Sequence, residues 1–164
     1  DLSGLSNALL TYWKWYSNNL GASPGSDYWH VEVSSDGGNT WSTLEYTTMS
    51  TSDWTRMRFL LSDYIELSSQ VQFKFKAEDA GEGSLVEAAL DDFLIEAVQD
   101  GTNYELGDVN LDGVFNVLDI VFIVNIILDE YNPSAIEEYV ADLNGDNAIN
   151  IQDVILLINI VLDN

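Results

Sequence analysis

The 164-residue chain has no cysteine, only five basic residues and a single histidine. The missing cysteine excludes a disulfide framework, a thiol nucleophile and a zinc–cysteine site. Five Lys and Arg against 28 Asp and Glu leave a formal net charge of −23. Such a chain has no basic footprint to neutralise phosphates, which excludes nucleic acid and anionic membranes as partners and favours cations instead. No run reaches the roughly 18 apolar residues of a spanning helix, so membrane insertion is not expected. The first residues lack a basic start and a continuous apolar core, so no signal peptide is read. The chain opens almost at once into a strand-like segment and reads as a piece of something longer. What is present is ordinary for a folded protein: 46% of residues are apolar, against wholesale disorder.

The chemistry changes near residue 100. All five basic residues (Lys14, Arg56, Arg58, Lys74 and Lys76) and all five tryptophans lie before it. Residues 101–164 hold 12 acids and no Lys or Arg. Between them Gln99-Asp100-Gly101-Thr102-Asn103 reads as a short polar linker.

The first half alternates with the period of half-buried strands. Trp29, Val31 and Val33 point one way, His30 and Glu32 the other. Val71, Phe73 and Phe75 alternate with Gln72, Lys74 and Lys76, and Met57, Phe59 and Leu61 with Arg56, Arg58 and Leu60. Strands are expected near 7–17, 27–34, 40–46, 54–62, 70–77 and 86–98, separated by turn clusters; this spacing predicts a β-sandwich. The second half predicts helices over 117–128 and 151–162. Both are apolar nearly all round, so each should be buried against a partner helix and something else. A third short helix is expected at 134–140, with Ser134 as N-cap and Glu137 as its reciprocal partner.

Overlaid on itself with a shift of 34 residues, the tail repeats. Asp108 falls on Asp142, Asn110 on Asn144, Asp112 on Asp146, Asn116 on Asn150 and Asp119 on Asp153. Oxygen side chains at loop positions 1, 3, 5, 9 and 12, with a carbonyl from position 7, converge on one point when the chain coils tightly. Calcium takes six to eight hard oxygen ligands, whereas magnesium wants a near-ideal octahedron and keeps its waters. The first loop offers Asp108, Asn110, Asp112, the carbonyl of Val114, Asn116 (directly or through water) and Asp119. The second offers Asp142, Asn144, Asp146, the carbonyl of Ala148, Asn150 and Asp153. Gly113 at position 6 permits the sharp turn, and Asn147 takes that place in the second copy. A solvated acidic face, or N-caps without an ion, leaves five matched positions in two copies unexplained. Without the ion, each loop is expected to gather three carboxylates and to open by repulsion.

Over about residues 107–163 the two copies, GDVNLDGVFNVLDIVFIVNIIL and ADLNGDNAINIQDVILLINIVL, resemble the type I dockerin family. That resemblance implies paired half calcium hands, each a loop and one helix, with the residues above as ligands of two Ca2+ ions. It implies a role in plugging into cohesin modules and so tethering extracellular proteins to scaffolds. Loop positions 10 and 11, often hydroxyl residues in that family, are Val117-Leu118 and Ile151-Gln152 here.

Residues 84–95, SLVEAALDDFLI, resemble the closing strand of MAM-like jelly rolls, and 1–98 as a whole resembles MAM-like or carbohydrate-binding jelly-roll modules of bacterial secreted proteins. Glu87, Asp91 and Asp92, with Asp27 from a loop, are candidates for a third calcium; the alternative is that one Asp caps backbone amides while the other is solvated. Ser34-Ser35-Asp36-Gly37-Gly38-Asn39-Thr40-Trp41 fits the Asp-box pattern and reads as a rigid hairpin, with Asp36 bonding loop amides and Trp41 packed beneath. Tyr12, Trp13, Trp15 and Tyr16 put aromatics on both faces of one strand. One face is core; the other stacks on sugar rings or is covered by protein. His30 reads as a satisfied or solvated histidine. No Ser-His-Asp set, zinc-ligand helix or phosphate loop is present, and no carboxylate pair stands out for glycoside hydrolysis.

The expectation is a two-domain chain: an all-β jelly-roll sandwich over 1–99, a linker over 100–106 and a small all-α calcium-binding dockerin-like domain over 107–164. It is expected to be a non-catalytic extracellular or cell-surface assembly module whose partner is a cohesin-like module. Two alternatives stand beside that. One is a calcium-stabilised fibre built from copies of itself, by head-to-tail contacts or by donation of strand 7–17. The other is a glycan-binding module of a secreted hydrolase, with carbohydrate as ligand.

Overall fold

The computed structural model describes residues 1–51, 53–79, 83–98 and 104–163. The expected linker at 99–103 lies outside them. A β-rich N-terminal region is followed by a helical C-terminal one, and the chain divides into two compact units, Asp1–Asp100 and Gly101–Asn164.

The first unit has six strands: β1 (Asn7–Gly21), β2 (Tyr28–Ser34), β3 (Ser42–Thr47), β4 (Thr55–Leu60), β5 (Gln72–Glu78) and β6 (Ser84–Val98). They form two three-stranded antiparallel sheets, in the orders β4-β1-β6 and β3-β2-β5. The inner faces share one core. Ala8, Leu10, Tyr12 and Tyr16 of β1 meet Trp29, Val31 and Val33 of β2, with Leu44, Met57, Phe59 and Leu61 closing the sides. Period-2 alternation therefore selects the buried set, and each such side chain contributes about 1.5–3 kcal/mol by leaving water. Tyr12 stacks on Phe59 at 6.0 Å and meets Phe75 edge-on at 5.2 Å.

β1 runs through the middle of its sheet, bonded to β4 on one side and β6 on the other. Strand 7–17 is therefore not a free donor strand: both of its edges are used inside the chain. β4 and β6 are the two edges of this sheet, and among the described residues no strand pairs with their far sides.

Two features of this unit depart from simple alternation. Lys14 falls on the inward register between Tyr12 and Tyr16 and is 4% exposed. It is ion-paired with Glu45 of β3. The same carboxylate accepts from Tyr12 Oη at 3.0 Å and Trp29 Nε1 at 2.9 Å. Burial, then the charge of Glu45, pushes the Tyr12 phenol well above its ordinary range. The second feature lies at one end of the core. Asn18 Nδ2 donates to the carbonyls of Asp27 at 2.5 Å and Thr48 at 3.1 Å. That orientation leaves Asn18 Oδ1 buried without a partner, as is Tyr16 Oη. Burial and the nearby Asp27 push the Tyr16 phenol up to about 12.

The second unit has α1 (Val117–Ile127), α2 (Ala135–Ala141) and α3 (Ile151–Asp163). Ser134 caps α2, and Glu137 completes the expected capping box. Its core is small: Val109, Ile123, Ala141, Val154 and Leu157. Gly107 has φ 103, and a Cβ there would come within 2.9 Å of Leu157 Cδ1, so the chain enters the first loop pressed against α3. The helices are not buried all round. Ile123 and Leu157 are fully buried, but Val117, Leu118 and Val121 on α1, its C-cap Leu128, and Ile151, Ile155 and Leu162 on α3 are exposed. Two helices and two loops supply too little cover for helices that are apolar on every side.

Candidate metal centres

Each loop is built by carboxylates that organise backbone amides. In the first, Asp108 accepts from the amides of Asp112 (3.1 Å) and Gly113 (2.9 Å). Asn110 Oδ1 accepts from Asp112 N at 3.1 Å, and Asp112 Oδ1 from Val114 N at 2.9 Å. Asp119, fully buried, receives Val109 N and Asn110 N on Oδ1 and Asn116 N on Oδ2. Asn116 Oδ1 caps α1 at Leu118 N, 2.7 Å away.

The second loop repeats this bond for bond. Asp142 accepts from Asp146 N (3.1 Å) and Asn147 N (2.8 Å). Asn144 Oδ1 accepts from Asp146 N, and Asp146 Oδ1 from Ala148 N, both at 2.9 Å. Buried Asp153 receives Leu143 N, Asn144 N and Asn150 N. Asn150 Oδ1 caps α3 at Gln152 N, 2.8 Å away. The sharp turns match too: Gly113 and Asn147 at position 6 have φ 81 and 65, and Leu111 and Gly145 at position 4 have φ 58 and 69. All twelve residues expected as ligands therefore lie in two equivalent coils.

One expectation needs correction. Among the described residues no three His, Cys, Asp or Glu side chains come together, so the loops do not pool three carboxylates each. Asp119 and Asp153 each receive two backbone amides on Oδ1 and one on Oδ2, so the free lone pair lies on Oδ2. Asn110 Nδ2 and Asn144 Nδ2 each donate to the position-5 carboxylate at 2.8 Å. An amide bond uses one lone pair of a carboxylate oxygen and leaves the other for an ion. A cation in either loop relies on amide and carbonyl oxygens as well as carboxylates, a mixture calcium accepts. The same observation removes the proposed quartet in the β unit. Asp27 is fully buried beside Asn18, whereas Glu87, Asp91 and Asp92 are exposed on β6, where Asp91 Oδ1 accepts from Asp92 N at 2.8 Å.

The other sequence candidates resolve as local structure. Asp36 accepts from the amides of Thr40 and Asn39 and from the hydroxyls of Thr40 and Ser34. These bonds, the Thr40 amide foremost, hold its carboxyl down to about 2. Trp41 donates to the Gly38 carbonyl at 3.0 Å beneath the turn, and Lys74 Nζ lies 3.9 Å from its ring. His30 Nε2 meets Thr43 Oγ1 at 3.1 Å on the outer face. Tyr12 and Tyr16 are fully buried, while Trp13 and Trp15 are half-buried on the opposite face. Reading by alternation missed the Lys14–Glu45 pair and the buried polar atoms of Tyr16 and Asn18. The one available signal was a lysine on the inward register of an aromatic strand.

A loop that coils on its own carboxylates, followed by a helix, and repeated, is the arrangement expected of paired half calcium hands. Residues 106–162 match the family model described as the dockerin type I domain. That match supports a dockerin domain over this stretch, with calcium binding and non-catalytic protein–protein assembly as its attributes. No curated protein and no solved structure matches the chain. Among the described residues no helix is long and apolar enough to cross a membrane.

Proposed function

We propose that the chain is an extracellular, non-catalytic assembly module whose tail binds two calcium ions and docks onto a cohesin-like module. Asp108, Asn110, Asp112, the Val114 carbonyl, Asn116 and Asp119 hold one ion. Asp142, Asn144, Asp146, the Ala148 carbonyl, Asn150 and Asp153 hold the other. The observation that carries this reading is the duplicated pattern of amide bonds onto Asp108, Asp112 and Asp119 and onto Asp142, Asp146 and Asp153. The 34-residue shift also pairs exposed apolar residues, Val117 with Ile151, Val121 with Ile155 and Leu128 with Leu162. Apolar surface of this extent on helix faces marks an interaction site. The β unit, a jelly-roll-like sandwich in this reading, serves as spacer or ligand binder.

Immobilised cohesin modules should retain the full chain in millimolar calcium and release it in chelator. Retention that ignores chelator, or no retention by any cohesin class, counts against docking. A second reading, a self-assembled fibre, is favoured by one feature: β6 is a fifteen-residue open edge with Leu85 and Leu94 exposed. Long exposed edges template pairing with another chain. Electron micrographs of the purified chain distinguish the two, since docking requires monodisperse particles and the fibre requires filaments.

A further inference from the structure

The two loops match in their hydrogen bonds but not in their chemical durability. Asn144 is followed by Gly145, and no other asparagine in the chain precedes a glycine. At the equivalent step of the first loop Asn110 precedes Leu111. An asparagine side chain is open to attack by the backbone nitrogen of the next residue. A glycine there has no Cβ to block the approach and leaves the backbone free to turn, whereas a branched leucine hinders both. Asn144 and Gly145 are exposed, while Asn110 and Leu111 are half-buried. A Cβ built on Gly145 would meet nothing within 4 Å, so water and base reach this step. Asn144 Oδ1 accepts from Asp146 N at 2.9 Å, which folds the side chain back along the main chain toward the Gly145 amide. Asp112-Gly113 is the nearest counterpart in the first loop, but a carboxylate is a much poorer electrophile than a carboxamide.

The reaction balances with water as its only added reagent. Gly145 N bonds to Asn144 Cγ, the Cγ–Nδ2 bond breaks, and the Gly145 amide proton leaves with Nδ2 as ammonia. Water then opens the cyclic imide at either of its carbonyls. One opening leaves aspartate. The other, which predominates in flexible chain, leaves isoaspartate and adds a methylene to the main chain. Closing the imide ring requires the backbone at Asn144 to rotate. A loop closed on an ion resists that rotation, and an ion-free loop that opens allows it. The extra main-chain atom falls between loop positions 3 and 4. It breaks the spacing that brings oxygens of Asp142, Asn144 and Asp146 onto one ion.

We propose that Asn144 is a calcium-guarded deamidation site, through which a chain kept without calcium irreversibly loses its second metal centre while the first persists. With both coils read as calcium sites, on which this inference rests, two loops that match in structure become unequal with time.

The test ages the full chain in warm, mildly alkaline buffer, with millimolar calcium or with chelator, and follows each asparagine by peptide mapping. Deamidation reads as a mass gain of about 1 Da, and isoaspartyl methyltransferase labelling identifies the rearranged product. In chelator Asn144 should react at least tenfold faster than Asn110 or any other asparagine, and calcium should slow it at least tenfold. The aged metal-free chain should then take up one calcium ion where the fresh chain takes two. Gly145→Leu, which copies the first loop, should stop the reaction. Leu111→Gly should carry it to Asn110, which keeps the test sharp if Gly145→Leu disturbs the second loop. Equal rates at Asn144 and Asn110, a rate unmoved by both substitutions, or two ions still bound after isoaspartate forms would overturn the proposal. Calcium titration of the fresh chain separates the two ways to fail. Two ions bound with no slowing at Asn144 overturns the guarding alone, whereas a fresh chain that takes up no calcium overturns the metal reading with it.

Discussion

The two units are held together differently. The β unit spreads its core over two sheets and eleven buried side chains; even its one buried cation, Lys14, is matched by Glu45 inside the same core. The helical unit buries five residues in its cluster and leaves apolar faces of both long helices exposed. Its loops gather oxygen atoms instead. The comparison teaches that apolar burial suffices where two faces meet. In the proposed reading, a pair of short loop–helix repeats is stabilised by ions in its loops and by a partner over its helices.

The sharpest way to break this contrast is to withdraw divalent ions. Chelator should abolish the helical signal at 222 nm and the C-terminal melting transition, while the β transition stays in place. At free calcium a thousandfold above Kd each site contributes about 4 kcal/mol, more than so small a core can spare. Helical signal and melting unchanged in chelator would erase the distinction.

The second perturbation acts on the other unit alone. Glu45→Ala strands Lys14 in the core and should destabilise the β unit by about 3–5 kcal/mol in urea melts. The double change Lys14→Met with Glu45→Leu should recover most of that loss, because an apolar pair of similar volume replaces a buried ion pair at little net cost. A double variant as weak as the single would mean that Glu45 acts mainly through Tyr12 and Trp29.

A smaller effect is expected within the repeat. Leu111 holds φ 58 at the position where the second loop has Gly145. Leu111→Gly should stabilise the helical unit by about 1 kcal/mol, since the left-handed conformation penalises a branched side chain. A loss of stability on calorimetry would show that the Leu111 side chain contributes packing that outweighs the strain.

The smallest expected effect is pH-dependent. Asp36 is depressed to about 2 by its hydrogen bonds. Its contribution is therefore complete above the ordinary carboxylate pKa near ~4 and lost as pH falls toward 2. Asp36→Asn should lower the β-unit melting temperature by a constant amount above about pH 5, and the gap should close between pH ~4 and ~2. A gap that persists at pH 2 would assign the effect to geometry rather than charge.

Much of this was legible in the sequence because both main patterns are local. Alternation at Trp29-Val31-Val33 located β2, and Ser134 with Glu137 marked the start of α2. The dense 34-residue repeat singles out the twelve residues that lie in two matching coils. What stayed hidden depends on distant partners. Lys14 reads as a surface residue until Glu45, 31 positions away, meets it. The register shift of β6 opposite Tyr12, where Asp92 takes φ 48, exists only against β1. The amide bonds that occupy Asp119 and Asp153 come from residues up to ten positions back, and spacing alone suggested pooled carboxylates in their place. Apolar composition all round α1 and α3 could not say which sides would be left open.

Counting ions tests the central claim most directly. Calorimetric titration of metal-free full chain should give two calcium ions per molecule, falling to one in Asp108→Ala or Asp142→Ala and to none in the double variant. A chain that takes up no calcium, or whose uptake is unmoved by both substitutions together, would contradict the claim that these two coils are its metal centres.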